Sequence, residues 1–504
     1  MSLYTPNLTL DQAKALIKQY SGNTVQLFKT IQADLLTPIS AYLRVSENSK
    51  YSFLLESAAQ KESVGRYTII GAHPSKILIT GSQYDLKGDP LIHLETEIKK
   101  VEYIKGPDTT IHPASSGAYG YIGYDCVQYF EPKTACDLED KLEMPDSIFM
   151  ICNNVVVFDN LFKVVKVFSN LSLPVDYNRD TDEHLIENLY DACIHSIDNY
   201  ITMLNTDRTP LPEQKKVVLG NTHTSLTGEN RFLDMVKFMK EHIVKGDIFQ
   251  SVPSQLMSRP TSLHPFNLYR FLRTINPSPY MFYFDLGDFQ LVGASPELLA
   301  KVQNRVLYNH PIAGTAKRGK TAEEDEKIAQ ELLSDKKERA EHVMLVDLGR
   351  NDLNRVCYPE TVSVDKVMQV EYFSHVIHIT SSISGTLRDD MTCFNAFRST
   401  LPAGTLSGSP KVRAVQLIYE AEKQKRGVYA GAVGHFQYNG DMDTCIAIRT
   451  IVFKDDVAYL QAGAGIVYDS VPEKEWAETI AKSMSNIKTI EQAENYYYDL
   501  QNKK

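Results

Sequence analysis

Antiparallel β-sheet with accompanying helices, an α+β class, is what the sequence predicts, and three observations carry the prediction. Strand-like runs such as YMFYFDLGDFQLVGAS and VYAGAVGHFQYNGDMDTCIAIRTIVF turn at Gly-Asp pairs. They read as hairpins, not as the strand–helix repeat of a doubly wound fold. The apolar run FMICNNVVVFDNLFKVVKVF breaks at Asp159-Asn160 into two strand-like halves. RFLDMVKFMKEHIVKGD instead has helical period: Phe232, Val236, Met239 and Ile243 share a face, and Gly246 stops it.

In chain order, residues 1 to about 205 alternate short helical and strand patterns. The polar segment Asn205 to Asn230, with two prolines and two glycines, reads as a linker. It separates an N-terminal region, 1–215, from a second, 225–504. The second holds the helix ending at Gly246, then the hairpin-forming runs IFQSVPSQLM, YMFYFDLGDFQLVGAS and RVLYNHPIAG, then the closing VYAGAVGH…TIVF stretch.

Composition narrows the function. A chain of 504 residues with 43% hydrophobic and 23% charged residues can bury a substantial core. Its 63 acids against 53 bases give a net charge of −10, with no basic stripe for nucleic acid. No run approaches the ~18 apolar residues that span a membrane, and MSLYTPNLTLDQAKALIKQY lacks a signal-peptide pattern, so the expected location is cytoplasmic. Seven scattered cysteines without a C-x-x-C pair argue against disulfides or a zinc site.

Two acidic pairs carry chemistry. Glu338 and Glu341, then Glu475 and Glu478, each fall on one face of a helical pattern. Facing helices would make an oxygen-rich pocket suited to Mg²⁺. A solvated helix face has the same E-x-x-E spacing, which by itself does not decide. Two small-residue stretches, PAGTLSGSPKVRA and LQAGAGIVYDS, could hold a small carboxylate on backbone N–H groups, with Arg449 and Lys411 as charge partners. Plain tight turns would look alike.

Taken together, GDIFQSVPSQ, NPSPYMFY, GASPELL, RAEHVMLVDLGRNDL, FSHVIHI, PAGTLSGSPKVRA, GVYAGAVGH, DTCIAIRT and QAGAGIVYDSVPEKEWAET, in unbroken order from about Lys245 to Asn486, resemble the chorismate-utilising enzymes, specifically anthranilate synthase component I. The resemblance implies large antiparallel sheets packed as a sandwich with helices outside, and an N-terminal region interwoven with the catalytic core. It also implies that Glu341 and Glu478 bind Mg²⁺, with Glu338 and Glu475 beyond them. Gly314, Thr315, Tyr429, Arg449 and the Gly463–Ala464–Gly465 backbone would hold chorismate. His378 and Thr405 would line the reacting face, with Gln250 and Glu297 completing the catalytic positions.

Relatives that make aminodeoxychorismate carry lysine in PIKGT, where this chain has Ala313; isochorismate and salicylate synthases carry a water-activating lysine where it has Gln250. Neither an enzyme amine nor water is then the nucleophile, which leaves ammonia. No cysteine sits in a nucleophile elbow, so the resemblance implies a glutamine amidotransferase partner. It also implies inhibition by L-tryptophan, gripped between Glu56-Ser57 of SFLLESAA and Asn276 to Met281 of NPSPYM, with Pro279, Tyr280 and Met281 offering apolar surface to the indole. The competing class, a non-catalytic chorismate or tryptophan sensor, is disfavoured because every catalytic position is filled.

Overall fold

The Asp159–Asn160 turn closes a hairpin, with Val155–Asp159 antiparallel to Val164–Ser172. Ser147–Cys152, just upstream across Asn153 and Asn154, pairs instead with Gly117–Ile122 in a different sheet. The computed structural model describes residues 3–57, 65–107, 111–112, 114, 116–179, 181–372 and 376–503, and only the backbone of Thr315.

Eleven strands form the first sheet, in spatial order Thr24–Gln32, Val164–Ser172, Val155–Asp159, Tyr67–Ala72, Tyr51–Glu56, Tyr280–Leu286, Gln290–Ser295, Thr450–Lys454, Val457–Gly463, Ser254–Pro260 and Thr224–Ser225. Ten form the second: Ile312–Lys317, Val376–Thr386, Val306–Asn309, Leu298–Gln303, Met442–Ile446, Ala432–Gln437, Gly117–Ile122, Ser147–Cys152 and Lys76–Thr80, with Ser363–Tyr372 also on Val376–Thr386. Both run antiparallel. Each has a seam where the two sequence regions meet: Met281 lies opposite Glu56 in the first, and Gly434 opposite Gly120 in the second. The linker is irregular over most of its length, yet it divides no sheet from another.

Strand alternation fills three apolar layers. Phe53, Tyr119, Tyr121, Phe282 and Phe284 pack between the sheets, where Phe53 stacks on Tyr119 with centroids 4.3 Å apart. Such a ring pair adds about 1 kcal/mol beyond the area it buries. Their neighbours Leu54 and Tyr283 face outward onto helices including Pro38–Val45, Pro265–Ile275 and Pro472–Asn502. Ala118 and Ile122 face the helices on the far side, among them Glu229–Val244 and Lys411–Glu422. The result is a sandwich with helices on both outer faces.

The helix Glu229–Val244 buries Phe232, Met235, Val236 and Met239, and Gly246 follows it at φ +81°. No helix among the described residues is long and apolar enough to cross a membrane.

Candidate active site

A glycine bulge starts the site. The register between Ile312–Lys317 and Val376–Thr386 shifts from Ala313 to Thr315, and Gly314 there takes φ +63°. The position favours glycine for its backbone angle, and a Cβ there would come 3.2 Å from Glu338 Oε2. The bulge turns the Gly314 carbonyl to His378, whose Nδ1 lies 2.8 Å away. A carbonyl only accepts, so Nδ1 carries the proton and Nε2 the lone pair. Burial holds this imidazole below its ordinary pKa, against the opposing pull of the Gly314 carbonyl, with Arg449 adding to the depression. Ala313 is buried opposite Ile379 and brings no nitrogen. The side chain of Thr315, and Phe373 to His375 of the FSHVIHI motif, lie outside the described residues.

Glu297 is the most perturbed acid here. It is buried at the start of Leu298–Gln303, and burial pushes its carboxyl up to about 8, although the Thr405 hydroxyl donates to Oε1 at 3.0 Å and Arg449 lies near. Thr405 comes from the short turn Gly404–Leu406. Arg449, in the connection before Thr450–Lys454, is half-buried with φ +51°. Its guanidinium faces Tyr429, Glu297 and Glu478 through space without a hydrogen bond or ion pair to any described residue. An arginine so placed is suited to a ligand carboxylate. Burial raises the Tyr429 phenol to about 12, and the Gly463 N–H points to it.

The acidic pairs do sit on helices, Lys336–Asn354 and Pro472–Asn502, and their charges sense one another. Burial, then Glu341, then Asp335 raise the Glu338 carboxyl, and Glu478 contributes from the other helix. Burial raises Glu475 despite the Ser470 hydroxyl, with Glu478 adding to it. Gln250 donates Nε2 to Glu341 Oε1 at 3.3 Å, while its own Oε1 is buried without a partner among the described residues. A Cβ on Gly465 would meet that amide at 2.7 Å. Among the described residues no three potential ligands form a preformed metal cage. Mg²⁺ does not need one, since it takes one or two carboxylates and completes its shell with waters and substrate oxygens. Crowded carboxylates beside an unpartnered amide oxygen fit that ion.

Three expectations need correction. Lys411 does not face a ligand: its ammonium lies 2.8 Å from Asp352 and also donates to the Thr400 carbonyl. Asp352, on the helix of Glu338 and Glu341, was not apparent as its partner because 59 residues separate them. The Gly463–Gly465 strip cannot offer all its amides, because the Ala464 N–H is bonded to the Pro253 carbonyl. Tyr280 and Met281 offer no single apolar surface, since adjacent strand residues face opposite ways. Met281 lies in the helix-side core, whereas Tyr280 packs toward the inter-sheet core and donates to Asp443.

On the Met281 side, Glu56 is already held by Arg273 Nε at 2.7 Å and the Tyr269 hydroxyl at 2.7 Å. Ser57 Oγ next to it is buried without a partner among the described residues. Asn276 ends the helix Pro265–Ile275, and Pro279 is half-buried just before the strand. Sequence reasoning missed Lys482, which pairs with Glu478 at 2.6 Å and donates to the Gly463 carbonyl. Its i,i+4 spacing from Glu478 was the available signal.

The fold finds its counterpart among known proteins. Residues 50–488 match the chorismate binding enzyme family. The chain is 51% identical over 494 residues to a probable anthranilate synthase component 1 of Schizosaccharomyces pombe, covering 98% of each. It is 48% identical to anthranilate synthase component 1 of Saccharomyces cerevisiae, covering 97% of each. The crystal structure of anthranilate synthase component I from Streptococcus pneumoniae superposes with a TM-score of 0.72 at 36% identity, over 90% of this chain and 99% of that one. The chain therefore belongs to the chorismate-binding enzymes and, within them, to the anthranilate synthase component I family of lyases.

Proposed function

We propose that this chain converts chorismate and ammonia into anthranilate, pyruvate and water, as the first committed step toward tryptophan, in the cytoplasm. The observation that carries the reading is Glu297. A carboxyl with its pKa near 8 is still protonated at neutral pH, so it can donate to the departing 4-hydroxyl. Ammonia attacks the ring carbon next to the carboxylate-bearing one, and the hydroxyl leaves as water. In the second step a base takes the ring proton and the enolpyruvyl group departs as pyruvate. His378 suits that step, being neutral with its Nε2 lone pair oriented by the Gly314 carbonyl.

Substrate binding follows from the charges. Chorismate is a dianion, and Arg449 supplies one cation with Tyr429 beside it. Glu341 and Glu478 would hold Mg²⁺, with Glu338 and Glu475 around it; the ion supplies positive charge against the second carboxylate. Ammonia would come from a glutamine amidotransferase subunit. Five of this chain's cysteines, Cys126, Cys152, Cys357, Cys393 and Cys445, are buried with thiols raised by burial, poor nucleophiles for glutamine. L-Tryptophan would inhibit from the Glu56–Ser57 side, where the Ser57 hydroxyl, without a partner among the described residues, offers a hydrogen bond.

Product analysis of the purified chain with chorismate, Mg²⁺ and ammonium salt tests the reading. Fluorescent anthranilate is expected, with none from glutamine alone. Isochorismate, aminodeoxychorismate or unchanged chorismate would overturn it.

A further inference from the structure

Two groups of the site, Thr405 on its turn and Gln250 on a short strand, come from segments distant in sequence that meet in a two-residue ladder, Gln250–Ser251 against Gly408–Ser409. Between them lies a buried arginine that touches neither. Arg426 is 2% exposed. Its Nη1 donates to the Leu406 carbonyl at 2.8 Å, one residue beyond Thr405. Its Nη2 donates to the Val252 carbonyl at 2.6 Å, two residues beyond Gln250. The guanidinium sits 4.5 Å from the ring centre of Tyr124 and 5.5 Å from that of Tyr429.

Glu422, the last residue of the helix Lys411–Glu422, fixes this cation from four residues earlier in the chain, with Nε to Oε2 at 3.0 Å and Nη2 to Oε1 at 2.6 Å. The same Oε1 accepts from the Ser254 N–H and hydroxyl, at 2.7 and 2.9 Å, and Ser254 lies opposite Gly463. One ion pair thus reaches the backbone beside Thr405, the backbone beside Gln250, the ring of Tyr429 and the strand facing Gly463. A buried ion pair is weak evidence for stability, because desolvation offsets much of its attraction. Its value lies in geometry: the planar fork of arginine fixes several acceptors at set angles, which an ammonium does not.

We propose that Arg426, held by Glu422, is a positioning residue for the reaction, setting the turn that carries Thr405 against Glu297 and the strand that carries Gln250 against Glu341. The proposal rests on the functional reading above. It places no part of Arg426 on the substrate, so the larger effect falls on kcat through Thr405 and Gln250, and the Tyr429 ring 5.5 Å from the guanidinium leaves room for only a smaller effect on KM.

The test is a double-mutant cycle on ammonia-dependent anthranilate formation. Arg426→Lys is expected to lower kcat at least about tenfold with the KM for chorismate within about threefold of wild type. Repeated in the Thr405→Val background, the same substitution is expected to lower kcat by much less, because the group it positions is gone. Glu422→Gln should repeat both results and serves if Arg426→Lys does not fold. An unchanged kcat, a full-sized effect in the Thr405→Val background, or the unfolding of both variants would overturn the positioning role. Wild type assayed alongside separates the two claims: if it makes no anthranilate, the functional reading fails and the proposal with it, whereas an active wild type with an unaffected Arg426→Lys overturns the positioning alone.

Discussion

Glu297 and Glu56 are two glutamates at strand ends, and they are treated in opposite ways. Glu56 is gripped by Arg273 and Tyr269 at hydrogen-bonding distance, a charge locked into a structural pair. Glu297 has one hydroxyl donor and an arginine that stays out of hydrogen-bonding contact, so burial raises its carboxyl to about 8. A committed acid holds two elements together, while an uncommitted one keeps its proton and can give it away. The same contrast separates Lys411, paired with Asp352, from Arg449, which has no such partner among the described residues.

The sharpest way to break the comparison is to neutralise each glutamate. Glu297→Gln is expected to cost about 10²–10⁴ in kcat, the range for loss of a general acid. Glu56→Gln should leave kcat within about threefold of wild type. Steady-state anthranilate fluorescence measures both, and equal effects would remove the distinction.

Next in size is the acidic cluster. Glu341→Gln or Glu478→Gln should remove most activity, about 10²-fold, with circular dichroism unchanged, because a ligand charge is lost from a hydrated site. Full wild-type turnover in excess chelator would contradict the Mg²⁺ reading. His378→Met is expected to slow pyruvate loss more than amination, so that chromatography finds the aminated intermediate accumulating. Equal slowing of both steps would reject that role. The smallest effect belongs to the Glu56 side. Ser57→Phe should leave turnover near wild type and raise the tryptophan concentration for half-inhibition about tenfold, equivalent to about 1.4 kcal/mol. An unchanged inhibition curve would remove tryptophan from this pocket.

Local signals in the sequence carried the elements better than their partners. The turns at Asp159–Asn160 and Gly287–Asp288 stand where strand-like runs break, and both hairpins form. The acidic pairs of Glu338 and Glu475 fall on helices, as their spacing suggested. Sheet membership was not legible: Ser147–Cys152 and Val155–Asp159 are both fully buried, so neither alternates in a way that reveals its sheet. In the site, residue types were readable but commitments were not. Whether Lys411 is free depends on Asp352, and whether Glu297 is protonated depends on the burial that the completed sandwich imposes. Arg426 shows the same limit, since it lies just beyond the helix that ends at Glu422 and has no readable role until Leu406 and Val252 arrive to accept from it.

The protonated state of Glu297 is the central claim, and the pH dependence of kcat/KM for chorismate at fixed free ammonia tests it most directly, since that ratio reports groups of the free enzyme. An acid that must donate works only while protonated. Activity is therefore expected to hold through neutral pH and to fall as pH rises through about 8, with Arg449 and Lys482 the cations that limit how high the carboxyl is raised. An alkaline fall centred near the ordinary carboxylate range, or activity undiminished to pH values well above 8, would contradict it.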